Sequence, residues 1–274
     1  MKLRVFGDLH YSTNYKSVEG FHERREAYFN HFFQQLFSQP ADYYISIGDL
    51  TNTGYIEEFN GVQSFIQKYD QQNKFQFTVG NHDAYGPTKA EISAHMKTDL
   101  YRVIVQDNLC MIFLDTVRQQ NVMDWSGYMD QEQLSWLEET LAAHSDKTVI
   151  IFAHHPIYDT TLFSTDDKNS IIPEIPIMDI LNKHLGKAFY ICGHVHADSI
   201  VQVNNWTFVQ IAAVIDQPTI RDIEIDDHHF TIQTTNISEE YRQIGNWLGS
   251  NMLFFGMSVE GYQGLENRNI SLEF

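Results

Sequence analysis

The sequence predicts an α/β fold. Three observations carry this expectation: short apolar runs that are continuous rather than alternating, helix-length amphipathic segments between them, and a polar cluster at the end of most runs. Continuous runs suit strands covered on both faces. Strand–helix alternation then indicates layered α/β architecture.

Taken in order, apolar runs at 3–6, 43–47 and 75–79 stop at GDLH, GDLT and GNHD. Further runs at 111–114, 149–153 and 189–192 stop at DT, HHP and GHVH. The segment 18–37 carries Phe21, Tyr28, Phe29, Phe32, Phe33 and Leu36, a broad apolar stripe of a buried helix face. Residues 55–69 are similar, and 131–143 place Leu134, Leu137 and Leu141 at helical spacing. From about residue 199 the pattern changes to consecutive strands at 200–203, 206–211, 220–225 and 230–234, joined by short polar turns. These predict antiparallel hairpins extending a second sheet, with Asp226-Asp227-His228-His229 as a solvated turn. The domain expectation is a unit over 1–236 and an extension over 237–274. That extension contains NMLFFGMSVEGY, too apolar to float free, so it packs on the domain or on a second subunit, making a homodimer one expectation.

The chain has 274 residues, 43% of them hydrophobic, with length for a sizeable core. Its 18 Lys and Arg face 36 Asp and Glu, a formal net charge of −18. Such a field repels a nucleic acid duplex, whose binding rests on cations neutralising phosphates. The partner expected instead is a small molecule, and part of the charge is offset if carboxylates hold metal ions. No apolar stretch approaches the roughly 20 residues of a membrane helix. The start, MKLRVFGDLH, has too short an apolar run for a signal peptide. The expected location is therefore cytoplasmic. Cys110 and Cys192 lie inside apolar runs and read as reduced core residues.

In open α/β sheets ligands sit beyond the carboxyl ends of strands, where the polar clusters fall. Each cluster alone is an ordinary turn or cap. Together Asp8-x-His10, Gly48-Asp49, Gly80-Asn81-His82-Asp83, His154-His155-Pro156 and Gly193-His194-x-His196 supply imidazoles, carboxylates and an amide oxygen to one edge. Mixed nitrogen and oxygen ligands suit Zn, Mn or Fe. The set exceeds what one four-coordinate ion requires, which argues for two ions sharing a ligand.

With these five blocks in this order, the sequence resembles the calcineurin-like metallophosphoesterases over roughly residues 1–215. The segments FLDT, GYMDQEQLSWLEETL and IIFAHHP make it most similar to the branch that contains bacterial class III cyclic-nucleotide phosphodiesterases. The resemblance implies a four-layer α/β/β/α sandwich and a binuclear metal centre. It implies Asp8, His10 and His196 on one ion, Asn81, His154 and His194 on the other, and Asp49 between them. It also implies His82 as general acid and in-line attack at phosphorus by a hydroxide held between the ions. His155 is then a supporting or substrate-facing residue, and Asp83 supports the loop or the imidazole. One departure stands out: relatives carry Asp three residues after the shared Asp, where it orients the catalytic His, and here that residue is Asn52. A side-chain amide there predicts a weaker acid–base pair and a preference for good leaving groups.

The function expected is hydrolysis of small phosphodiesters, with cyclic nucleotides among the candidates. The alternatives are a phosphomonoesterase or pyrophosphatase using the same centre, and a non-catalytic scaffold. The scaffold predicts missing ligands, and none is missing. Protein Ser/Thr phosphatases of the family carry Arg beside these blocks, where this chain has Leu50, Thr51 and Val79. Tyr11, Tyr85, Trp125 and Tyr158 are candidates for stacking on a base, with specificity set by loops 117–128 and 157–172.

Overall fold

A computed structural model describes residues 1–257 and 263–273. Two six-stranded mixed sheets lie face to face. In the first, β1 (Lys2–Phe6), β2 (Tyr43–Ser46) and β3 (Phe75–Phe77) run parallel, and β10 (Thr219–Ile225), β11 (His229–Asn236) and β12 (Ile270–Glu273) continue antiparallel beyond β1. In the second, β5 (Leu109–Phe113), β6 (Thr148–Phe152), β7 (Ala188–Cys192) and β9 (Trp206–Gln210) run parallel. Its antiparallel edges are β4 (Arg102–Gln106) and β8 (Ser199–Val203).

Three apolar layers explain why the runs are continuous. Leu3, Val5, Ile150, Phe152, Phe189 and Ile191 point between the sheets. Their strand neighbours point the other way: Phe6 meets helices α1 (Phe21–Leu36) and α2 (Ile56–Lys68), while Val149, Ile151 and Tyr190 meet α4 (Gln131–Ala143) and α5 (Ile177–Leu181). The result is the four-layer α/β/β/α sandwich. Both cysteines are free and buried, as expected. Among the described residues no helix is long and apolar enough to cross a membrane.

The late hairpins depart from expectation. They do not extend one sheet: β8–β9 joins the second, and β10–β11 joins the first beside β1. The switch takes three residues, since Ile211 N donates to Cys192 O and Val214 N donates to Gly7 O. A buried apolar crossing through Ala212 and Ala213 has the same hydrophobic signature as a strand that stays put. The Asp226 turn is as predicted, with its Oδ1 accepting from His228 N and His229 N, both at 2.8 Å.

The tail is built into the same body. Helix α6 (Glu239–Asn251) packs on α1, and β12 pairs with β11. Part of NMLFFGMSVEGY, residues 258–262, lies outside the described residues.

Candidate metal centre

The carboxyl ends of parallel strands from both sheets meet at one place. β1 delivers Asp8 and His10, β2 Asp49, β3 Asn81 and His82, β6 His154, and β7 His194 and His196. Five of these residues, Asp8, His10, Asp49, His194 and His196, have φ between 49° and 70°. Positive φ is uncommon for residues with a Cβ and clusters at functional sites. Main-chain bonds hold these turns: Asp8 N donates to Gly48 O at 3.2 Å and His10 N to Asp49 O at 2.9 Å. Close approach also demands glycine. A Cβ on Gly80 would lie 2.1 Å from Asp49 Oδ1, and one on Gly193 would lie 2.2 Å from Asp8 Oδ2.

Side chains form two adjoining groups. In one, His10 Nε2 and His196 Nε2 are 3.1 Å apart, His10 Nε2 is 3.6 Å from Asp49 Oδ2, and His196 Nε2 is 3.6 Å from Asp8 Oδ1. In the other, His154 Nε2 lies 2.9 Å from Asn81 Oδ1, 3.2 Å from His194 Nδ1 and 3.4 Å from Asp49 Oδ2. Asp49 belongs to both.

The outward nitrogens settle what the inward ones present. His154 Nδ1 donates to Ile47 O at 3.1 Å, His194 Nε2 to Lys168 O at 3.0 Å, and His196 Nδ1 to Asp216 Oδ2 at 2.7 Å. A carbonyl has no proton to give, so the outward nitrogens of His154 and His194 carry the protons, and each ring in its neutral form has its lone pair facing inward, as metal-bound histidines do. Asn81 Nδ2 donates to Tyr85 Oη at 2.7 Å, which fixes the amide with its oxygen inward. Ligand distances of roughly 2.0–2.2 Å put neighbouring donor atoms about 3.0–3.5 Å apart, close to the spacing observed. The residues fit two ions.

Electrostatics agree. Burial opposes a charge on His154, yet Asp49 and Asp8 push it up to about 9. His196 reaches about 9 against burial through Asp216 and Asp8. Burial, with His154 beside it, lowers His194 to about 3. Asp49 resists burial because His154 and His82 hold its carboxyl well below the usual range. The two carboxylates thus draw positive charge inward, and cations satisfy that demand.

His82 stands at the rim of this group. Its backbone N–H donates to Asp49 Oδ1 at 2.8 Å, and its Nδ1 donates to Asn52 O at 2.7 Å. That corrects the sequence expectation for Asn52, whose side chain does not orient the imidazole. Its main-chain carbonyl does, while Nδ2 turns away to Leu253 O at 2.8 Å and Ser12 Oγ at 3.3 Å. Asp83 supports the loop: it accepts from Gly80 N at 2.9 Å, Thr51 N at 2.9 Å, Thr51 Oγ1 at 2.7 Å and Leu50 N at 3.3 Å. His155 is tied to Thr116 Oγ1 at 2.9 Å and Trp125 O at 2.9 Å, which anchors the loop over 117–128.

A cavity of about 780 Å³ opens over the centre. Tyr85 and Trp125 line it. The other two stacking candidates do not. Tyr11 is buried against Phe29 and Phe65 with its hydroxyl on Glu26, and Tyr158 is exposed but not part of the lining. Sequence reasoning missed Asp216 and Phe255. A carboxylate following the apolar run 211–215 was a signal for Asp216, whereas nothing local marked Phe255.

Residues 1–198 match the family model for calcineurin-like phosphoesterases. The chain is 30% identical over 159 residues to a probable glycerophosphodiester phosphodiesterase of Arcobacter nitrofigilis, covering 57% of this chain and 56% of that protein. It is 25% identical over 179 residues to a probable cyclic nucleotide phosphodiesterase of Moraxella catarrhalis, covering 60% and 61%. The chain therefore spans little more than half the length of these relatives. A crystal structure of a dimetal phosphatase from Danio rerio superposes with a TM-score of 0.70 at 13% identity, over 86% of this chain and 96% of that one. A purple acid phosphatase from yellow lupin gives 0.60 at 13% identity, over 86% and 51%. At such identity these two show a shared fold alone. The family model covers well over half of the chain, and the chain belongs to the calcineurin-like phosphoesterase family.

Proposed function

We propose that this chain is a metal-dependent phosphoester hydrolase whose substrates are small phosphodiesters. The observation that carries the diester preference is the cavity wall. Among the described residues lining it there is no Lys or Arg, and Asp166 adds an acid. A phosphomonoester carries about −1.5 to −2 charges at neutral pH, whereas a diester carries one and has a second ester group to seat. About 780 Å³ gives room for that group. The diesterase names of the two curated relatives support the same reading. Cyclic nucleotides and glycerophosphodiesters both fall within this class.

Asp8, His10 and His196 would hold one ion and Asn81, His154 and His194 the other, with Asp49 shared. Such a pair supplies neutralisation of the phosphoryl oxygens and a hydroxide nucleophile at neutral pH. The chain itself manages the leaving group. With Nδ1–H committed to Asn52 O, His82 offers Nε2 to the cavity it lines, where it holds or delivers a proton at the departing oxygen. Burial lowers the His82 pKa, and neither ring nitrogen is bonded to a carboxylate that would stabilise imidazolium. That favours substrates whose leaving groups need little protonation.

The test is turnover by metal-loaded protein of bis(p-nitrophenyl) phosphate, p-nitrophenyl phosphate and pyrophosphate. A higher kcat/KM for the diester is expected. Preference for the monoester or for pyrophosphate would reverse the assignment.

A further inference from the structure

The segment after α6 enters the active site from outside the matched family region. Leu253 N donates to Asn14 O at 3.0 Å, and Asn52 Nδ2 donates to Leu253 O at 2.8 Å. Two residues on, the Phe255 ring lies edge-on to His10 with centroids 4.7 Å apart and is roughly stacked on His196 at 6.0 Å. His10 in turn meets His82 edge-on at 4.6 Å. Phe254, Phe255 and Gly256 all line the cavity, and Phe254 is 74% exposed. The segment is closely fitted from behind, since a Cβ on Gly249 would lie 2.3 Å from Met257 Sδ and 3.1 Å from Phe255 Cε1.

We propose that Phe255, held in place by the Asn52–Leu253 bond, is a specificity-determining wall that selects phosphodiesters with flat aromatic ester groups over those with small aliphatic ones. This rests on the diesterase reading above. The wall is apolar, and its ring stands beside two of the imidazoles that approach the phosphoryl position. A planar substituent there gains an aromatic face, while a methyl or ethyl group leaves it wet. Asn52 is the positioning residue. A buried carboxylate at that position could accept but not donate, and would face the Leu253 carbonyl oxygen without a proton between them. The departure from the family's Asp thus has a structural reason: this chain uses the side chain to hold its tail and the main chain to hold His82.

The experiment measures equilibrium binding of diphenyl phosphate and dimethyl phosphate, equal in charge, to the metal-loaded protein by titration calorimetry. The wild type should favour the diphenyl ester. Phe255→Ala and Asn52→Asp should each reduce that preference about ten-fold, and Phe255→Leu, which keeps bulk without a flat face, should fall between. If Asn52 acts through Phe255, the double variant loses no more than the larger single effect. An unchanged preference in Phe255→Ala and Phe255→Leu, or additive losses in the double variant, would overturn the inference. Turnover of bis(p-nitrophenyl) phosphate separates the two failures. Its absence in the wild type removes the diesterase reading and this inference with it, whereas turnover with an unmoved preference removes this inference alone.

Discussion

Gly193→Ala tests the centre through one methyl group. Gly193 has no positive φ, so alanine brings no backbone strain of its own. The added Cβ would instead lie 2.2 Å from Asp8 Oδ2. An ordinary contact needs about 3.4 Å, so the carboxylate and the turn carrying His194 must separate by roughly 1 Å. Metal sites tolerate about ±0.2 Å, so Asp8 would no longer reach an ion held as proposed. Losing a group that only hydrogen-bonds to a ligand weakens a metal about 10–100-fold, and loss of a direct ligand should cost at least ~100-fold. With metal at about 1,000 times the wild-type Kd, the linked stabilisation falls from ~4.1 to ~1.4 kcal/mol. At about 2–4 °C per kcal/mol, the metal-induced rise in Tm shrinks by roughly 5–10 °C. Thermal scans of chelated and metal-loaded protein, with metal content by mass spectrometry, read this directly. A Gly193→Ala protein with the wild-type metal-induced shift and two bound ions would refute the close-approach argument.

His82 carries a pH signature. Its pKa is lowered by burial from 6.5, and the acid form is lost as pH rises through that lowered value. The rate ratio of an alkyl-leaving-group diester to a p-nitrophenyl one should therefore fall as pH climbs toward 6.5. His82→Ala should abolish that dependence and slow the alkyl ester by about 10²–10⁴; stopped assays across pH 4.5–8, a window of roughly two units either side of the ordinary His value, decide it. Tyr85→Phe removes the acceptor that fixes the Asn81 amide, and competitive titration should show one ion weakened about 10–100-fold; two unchanged affinities would count against that role. Asp198 bridges buried Arg221 and Arg268, the latter at 2.6 Å, and also accepts from Ala212 N at 2.9 Å. Asp198→Ala strands a buried guanidinium and should cost about 3–5 kcal/mol in urea unfolding, so a loss below ~1 kcal/mol would contradict the burial argument.

The convergence of these side chains was legible because chemistry and position coincided: polar clusters at the ends of parallel strands meet on one edge, and their donor types suit a pair of ions. What failed to show shares a different character. β4 is an exposed edge whose RVIVQ has little burial to betray it. The helix α3 (Lys89–Met96) went unread even though Thr88 and Glu91 form its capping box. Its apolar pattern is weak, with Ile92 its one buried residue. The sheet switch at 211–214 was hidden because burial has no direction: hydrophobicity says that both faces are covered, not by which strand. Asn52 was misread for a related reason. A motif specifies a residue type, but side chain and main chain of one residue can serve different masters, and only coordinates separate them.

That division between side chain and main chain runs through the whole centre. The left-handed turns at Asp8, His10, Asp49, His194 and His196 each disfavour the folded state by roughly 1–3 kcal/mol. Main-chain bonds tie the β1 turn to the β2 turn, and His194 N donates to Asp8 Oδ1 at 3.1 Å across the two sheets. The two sheets, through these bonds, hold the strained turns in register. That register explains why the glycines cannot be exchanged: the sheets fix the turns so closely that Gly80 and Gly193 are the clearance between one ligand and the next.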